Sequence, residues 1–473
     1  MPDAVVIGSG PNGLAAAIRM AQAGKSVMVF EAEGTIGGGS RSAELTLPGF
    51  INDICSAVHP LAVGSQFFRR LPLAQYGLEY VQPPIPAAHP LDAATAVMTK
   101  GSVAETAAGL GADGAAYARI MGRMQPHADF LMSQFFAPLR PSGQWVSHAP
   151  LLAWFGLMAI QSAVAFARRT FRDAPARALF AGHAAHAIQP LENLSTAGYG
   201  LMLGVTAHAY GWPVARGGSQ KLADALAAQL KTLGGTVTTG YRIHSMAELP
   251  DARAYLFDVT PRQLVAIAGD ALSAGFRREL GKFRYGPGVF KLDWALDGPI
   301  PWRDPQCLQA GTVHLGGTLD EIAASEAAVG RGQVSDSPYV LLAQPSLFDP
   351  TRAPAGKHTI WAYCHVPNGS TVDCTDRIER QIERFAPGFR NRILFRRAMT
   401  PADLEKHNAN LVGGDINGGM ADLRQWFLRP TWRRYATPNP HIYICSASTP
   451  PTGGVHGLCG FFGAETALRR AFR

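Results

Sequence analysis

The first thirty residues admit few folds. Ala4-Val-Val-Ile7 is a continuous, β-branched apolar run, the pattern of a strand buried on both faces. It leads directly into Gly8-Ser-Gly10-Pro11-Asn12-Gly13, and then into an alanine-rich segment that reads as a helix closing at Gly24. A second strand, from Ser26 to Phe30, ends at Glu31, 18 residues after Gly13. Strand, glycine turn, helix and second strand form a βαβ unit, the context in which this glycine spacing carries meaning as a dinucleotide fingerprint. Gly8 permits the tight turn, Gly10 lets backbone N–H groups approach a pyrophosphate, and Gly13 allows close helix–strand packing. The positive end of the helix, with Pro11 and Asn12 at its start, then faces the phosphates. Glu31, followed by Ala32, is placed to accept hydrogen bonds from ribose hydroxyls.

A second glycine-rich turn, Gly34-Thr-Ile-Gly37-Gly38-Gly39-Ser40-Arg41, follows at once. It resembles the glycine–glycine–arginine motif of FAD oxidoreductases of the amine oxidase and phytoene desaturase superfamily. The resemblance implies that Gly38, Gly39 and Ser40 lie against the flavin end of FAD and that Arg41 contacts phosphate. Two further regions carry the same resemblance. Residues 216–261 run from Arg216-Gly-Gly-Ser219 through a leucine-rich helix into strands at Thr236–Gly240, Tyr241–Ser245 and Ala254–Thr260. Ser219 is placed to cap that helix, and the resemblance assigns the adenine contact to the backbone of Ile243. At the C-terminus, His441 to Gly460 reads as strand, glycine turn and helix start. It resembles the C-terminal flavin motif of the phytoene desaturase family, which places Ala447, Gly454, Val455 and Gly457 at the flavin. The chain is most similar to the phytoene-dehydrogenase-related branch of that family. Two departures stand out: Ser446-Ala-Ser replaces the usual Gly-Ala-Gly, and His456 replaces an apolar residue or proline.

The rest of the chain sets limits. A length of 473 residues suggests two domains, and 47% hydrophobic against 16% charged residues describes a folded globular protein. The expected fold is α/β: a Rossmann-like FAD-binding domain built on a parallel sheet, interleaved with a substrate domain of mixed sheet and helices. The FAD-binding domain is expected over 1–75, 205–288 and 405–473, and the substrate domain over 76–204 and 289–404. A net charge of +8 without basic–aromatic interleaving argues against nucleic acid and leaves either anionic lipid as a partner or plain solubility as its meaning. Six scattered cysteines form no metal or disulfide pattern, and a first strand near Met1 leaves no room for a leader. A cytoplasmic protein is therefore expected, with peripheral contact to the inner membrane surface as an option.

That option rests on Leu151 to Ala167, an almost wholly apolar stretch followed by Arg168 and Arg169. It reads either as a buried helix of the substrate domain or as a helix entering one leaflet. Gly109-Leu-Gly111-Ala-Asp-Gly114 repeats the glycine fingerprint without a preceding strand, and Asp113 reads instead as a helix N-cap. His183 and His186 share a helical face, but no carboxylate or cysteine joins them at metal-ligand spacing, so no metal site is expected.

The implied activity is an FAD-dependent oxidoreductase, phytoene dehydrogenase-like, dehydrogenating, saturating or isomerising carbon–carbon bonds of an apolar, polyene-like substrate. FAD is expected to be noncovalent, with oxygen or a quinone as acceptor. Amine oxidation on the same scaffold, or a flavin-binding assembly protein with little turnover, are the alternatives. Three side chains are candidates for the chemistry. Lys291 alternates with the apolar residues of a strand that resembles the lysine strand of amine oxidases. His456 sits in the flavin turn, and His59 follows the strand after the second glycine turn.

Overall fold

The computed structural model describes residues 1–93, 95–138 and 143–472. The apolar runs of the opening segment become the centre of a five-stranded parallel sheet. Its strand order is Ile442–Ile444, Ala254–Phe257, Ala4–Ile7, Val27–Phe30 and Thr236–Thr238. The central strand is flanked on both edges and covered on both faces, which is why it has no polar residue to spare. The helix Pro11–Gln22 starts with proline in its first turn, and Leu14 and Ile18 are fully buried. Each such side chain contributes roughly 1.5–3 kcal/mol. The closing helix Leu458–Ala471 packs against it so closely that a Cβ on Gly460 would lie 1.8 Å from the Asn12 carbonyl.

A seven-stranded mixed sheet forms the second layer. Its order is Ile393–Met399, Gly288–Leu296, His358–Val366, Val340–Ala343, Ala310–Leu315, Ile85–Pro90 and Ala96–Thr99. Register places Thr312, Ala343, Trp361 and Asp293 in one cross-strand row, and His314, Leu341, Tyr363 and Lys291 in the next. On the opposite face, Phe290, Leu292, Trp294 and Leu296 form a separate apolar core with Ile378 and Ile382 of the helix Thr375–Phe385. Helices between residues 103 and 210 cover the first-named face.

Four local expectations are corrected. Residues 241–245 are not a strand: the chain leaves the sheet after Thr238 and turns at Gly240, whose φ of +68° ends the extended run. The apolar stretch is two helices, Ala149–Ala159 and Ala163–Thr170, bent by 106°. Ser162 breaks it by capping the second helix through Ala165 N–H. Asp113 does not cap its own helix; its carboxylate accepts the Arg172 and Asp173 amides at 2.8 Å. Ser219 likewise makes no side-chain cap. Among the described residues, no single helix is long and apolar enough to cross a membrane.

Candidate cofactor and substrate cavity

One cavity of about 360 Å3 runs from the C-terminal edge of the parallel sheet to the face of the mixed sheet. That volume falls in the range of small-molecule sites, and its position beyond the strand ends is where open α/β sheets receive ligands.

At its polar end the fingerprint turn and the second glycine turn meet. A Cβ on Gly38 would lie 3.1 Å from Gly10 Cα, and a Cβ on Gly10 would lie 2.9 Å from Asp258 Oδ2. Side chains at either position would fill the channel. Gly8, Gly10, Pro11, Asn12, Glu31, Ala32, Gly38, Gly39, Ser40 and Arg41 all line it, as do Ile243, Ala447, Gly454 and Val455. Gly13 and Gly457 stand behind the wall. A Cβ on Gly13 would be 2.0 Å from the Gly8 carbonyl, and one on Gly457 would be 2.4 Å from the Phe68 ring. Both glycines serve packing.

The charged groups here are engaged with one another. Glu31 Oε2 accepts from the Ser9 amide and hydroxyl at 2.9 and 2.6 Å, and Oε1 accepts from Arg41 at 2.9 Å. Arg41 also donates to the carbonyls of Thr35 and His407, so it braces Glu31 and the turn together. Asp258, which the motif analysis did not single out, lies beneath both glycine turns. Its Oδ2 accepts the Gly13 amide at 2.8 Å. Burial, reinforced by nearby Glu31, pushes its carboxyl up to about 8. The signal for it was positional: Asp258 is the first residue past the Ala254–Phe257 strand, at the edge where a parallel sheet binds ligands.

The residues present fit FAD. The turn backbones and the start of Pro11–Gln22 offer amides to a pyrophosphate, while Asn12 Oδ1 and Ser40 Oγ are buried without a protein partner.

The other end is walled by Val58, Leu61, Leu203, Trp212, Leu341, Trp361 and Tyr363, with His59, His186 and Thr312 as its polar side chains. No carboxylate lies among these. His59 is neutral, burial lowering it to about 4. Ser219 Oγ donates to the Ser56 carbonyl at 2.6 Å, so toward His59 it accepts. His59 therefore carries its proton on Nε2, 2.8 Å away, and its unprotonated Nδ1 lies 3.5 Å from the Ser56 hydroxyl.

Lys291 and His456 are not on this wall. Lys291 is buried and paired with Asp293, one strand beyond Trp361 and Tyr363. Burial raises the Asp293 carboxyl to about 6 despite that partner. His456 has both ring nitrogens engaged: Nε2 with the Thr452 carbonyl at 3.1 Å, and Nδ1 with the Leu458 amide at 3.0 Å. Through the Leu458 amide it supports the start of the final helix.

The sequence profile of NAD(P)-binding Rossmann-like domains matches residues 6–71, the βαβ unit and the second glycine turn. Over 99% of its length the chain is 26% identical to mouse pyridine nucleotide-disulfide oxidoreductase domain-containing protein 2, covering 93% of that protein. It is 24% identical to the neurosporene-forming phytoene desaturase of Rhodobacter capsulatus, over 53% of this chain and 52% of the desaturase. Among solved structures, an oxidoreductase from Methanosarcina mazei aligns with a TM-score of 0.67 at 16% identity, over 98% of this chain and 99% of that one. Putrescine oxidase aligns with a TM-score of 0.61 at 17% identity, over 99% of each chain. These two likenesses establish a shared fold.

Proposed function

We propose, on the premise that the chain is a relative of the amine oxidase-like FAD oxidoreductases, that it dehydrogenates, saturates or isomerises a carbon–carbon bond of an apolar substrate with noncovalent FAD. The observation that carries this reading is the continuity of the cavity. A glycine-walled dinucleotide channel opens directly onto a chamber of aromatic and aliphatic side chains that contains no carboxylate. Such a chamber desolvates a hydrocarbon at little cost and offers an ammonium group no counter-charge. When bound, FAD supplies the hydride chemistry; the chain's residues bind it, orient the substrate and exclude water.

The cavity lining supports the following division of labour. The Gly8–Gly13 turn and the Pro11–Gln22 helix would hold the pyrophosphate, Glu31 braced by Arg41 would meet the ribose, and Gly38 to Ser40 would lie toward the flavin. Trp361, Tyr363 and Leu341 form the floor on which the substrate lies, and the neutral imidazoles of His59 and His186 are the groups able to take a proton. Cys445 and Cys459 are buried and off the cavity lining, Cys459 against backbone carbonyls; Cys55 lines the cavity beside Gly39, but burial pushes its thiol up to about 11, away from the nucleophilic thiolate. This supports noncovalent attachment. Anaerobic mixing of the yellow holoprotein with polyenes, unsaturated fatty acids and amines tests the assignment. Bleaching of the flavin by a carbon–carbon substrate is the expected result, and bleaching by amines alone would replace it with C–N oxidation.

A further inference from the structure

Five histidines, four of them buried and His186 partly accessible, cluster at the back wall of the apolar chamber, and the oxidoreductase reading alone does not account for them. His89 lies on the strand Ile85–Pro90, His314 on Ala310–Leu315, His183 on the helix Ala174–Ala184, His208 on Thr196–Tyr210, and His186 in the turn after the His183 helix. Two of them have partners that explain their presence: His208 meets the Tyr117 hydroxyl at 2.6 Å, and His183 approaches Thr99 Oγ1 at 3.4 Å.

His186 and His314 differ. Their Nε2 atoms are 3.0 Å apart, so a single N–H lies between the two rings. The Trp212 ring packs edge-on against both, at 5.6 and 5.7 Å between centroids. His186 is the member that lines the cavity and is partly accessible, and with Nε2 engaged its Nδ1 is the nitrogen left for a ligand. His314 Nδ1 and His89 Nδ1 are both buried without a partner. Both converge on Gly182, where an added Cβ would lie 2.8 and 3.0 Å from them. An unsatisfied buried nitrogen costs about 1–3 kcal/mol, so apolar side chains of similar size would make a more stable core. Burial holds His186 down to about 3, His89 to about 4, and His314 well below the ordinary value, so all three are neutral near pH 7.

One tautomer follows from the far end. His89 Nε2 is 2.6 Å from the Gly317 carbonyl, which only accepts, so His89 bears its proton there and its Nδ1 is bare. Nothing bonds His314 Nδ1, and the one N–H between the two Nε2 atoms can come from either ring; the arrangement useful to the cavity is the one in which His186 Nε2–H donates and His314 Nε2 accepts. In that tautomer His186 Nδ1 is the unprotonated nitrogen of a residue that lines the cavity.

We propose that His186, backed by His314, is the catalytic base of this cavity, an inference that rests on the oxidoreductase reading above. When a substrate CH–CH unit becomes C=C, one hydrogen leaves with both bonding electrons as a hydride that reduces the flavin. The other leaves as a proton taken by His186 Nδ1. The new charge is shared with His314 through the Nε2–Nε2 hydrogen bond, and the proton passes to solvent once product departs. For a saturating enzyme the same pair runs in reverse as the acid.

The test uses FAD-loaded wild type, His186→Gln, His186→Gly, His314→Gln and Gly182→Ala, after flavin occupancy and melting temperature are matched. In anaerobic single turnover with the best polyene or amine, His186→Gln should slow flavin reduction by about 100-fold or more, with substrate affinity little changed. His314→Gln and Gly182→Ala should slow it by about tenfold, and exogenous imidazole should partly restore His186→Gly. Reduction of His186→Gln at the wild-type rate overturns the proposal. If no substrate reduces the wild-type flavin, the dehydrogenation reading fails and the pair is judged by 15N imidazole spectra of the holoprotein. A coupling across Nε2–Nε2 that is lost in Gly182→Ala supports the pair, and two rings that each carry their own Nε2–H overturn it.

Discussion

Asp258 decides how the fingerprint turn behaves with pH. Its carboxyl titrates near 8 in the fold and near 3.8 when unfolded, so the folded chain holds a proton that the unfolded chain has already lost. Stability therefore falls as pH rises from about 4 to about 8, because the unfolded state binds fewer protons over that window. The same proton matters to FAD, since an ionised Asp258 would stand under the pyrophosphate. Wild-type FAD affinity should drop by up to about tenfold per pH unit above 8, whereas Asp258→Asn should bind FAD independently of pH between 7 and 9. Fluorescence titration of the apoprotein measures both, and a parallel decline in the variant would refute the assignment. A second buried charge makes the complementary case. Lys291→Met leaves the Asp293 carboxylate unpaired in the core, with Oδ1 already lacking a partner, and should cost about 3–5 kcal/mol in denaturant unfolding. Adding Asp293→Asn should recover most of that loss. Spacing showed that Lys291 lies opposite the apolar face of its strand. It did not show that the strand is interior, because that depends on Tyr363 and Met399 on the flanking strands, 70 and more residues away, whereas the partner Asp293 is two residues along the same strand.

At the scale of elements, legibility tracked local determinants. The βαβ unit was readable because each piece carries its own signal: β-branched run, turn glycines, proline at the helix start. Residues 241–245 were misread as a strand because their apolar positions face the cavity and a small cluster with Phe30, not a sheet neighbour. The bent helix pair was read as one segment although Ser162 marks the break. Its folded form also moves the exposed apolar surface. Trp154 packs under Arg123, with its ring 4.5 Å from the guanidinium, and Phe155 rests on the core. Leu157 and Ile160 are 71% and 52% exposed, and Leu194, beside the Ser195 amide that bonds Ile160, is 57% exposed. This patch, with Arg168 and Arg169 close in sequence, is the surface we predict to meet anionic membranes. Leu157→Glu with Ile160→Glu should abolish flotation with anionic liposomes and leave the melting temperature within a degree or two. Unchanged flotation would leave the patch without that role.

Across the whole molecule, the cofactor channel is assembled from segments that are far apart in the chain. The fingerprint turn, the second glycine turn, Ile243, Asp258 and the C-terminal Ala447–Val455 turn all border it, and only the first two are close in sequence. Motif resemblance found most of these pieces because each is a short glycine-rich signature. The chamber beyond them was not legible. Trp361 and Tyr363 come from one sheet strand, His186 from a helical turn and Trp212 from a loop, and none carries a local pattern. A ligand that touches so many distant segments should act as a staple. Saturation with FAD at about 100 times its dissociation constant should stabilise the fold by about 2.7 kcal/mol, seen as a rise of several degrees in melting temperature over the apoprotein. Gly10→Val tests whether that gain passes through the fingerprint turn. Its Cβ would press on Asp258 Oδ2 at 2.9 Å and fill the channel toward Gly38. The variant should purify colourless, melt somewhat below the wild-type apoprotein, and show no shift on adding FAD. A Gly10→Val protein that binds FAD fully and gains the wild-type increment would place the nucleotide elsewhere.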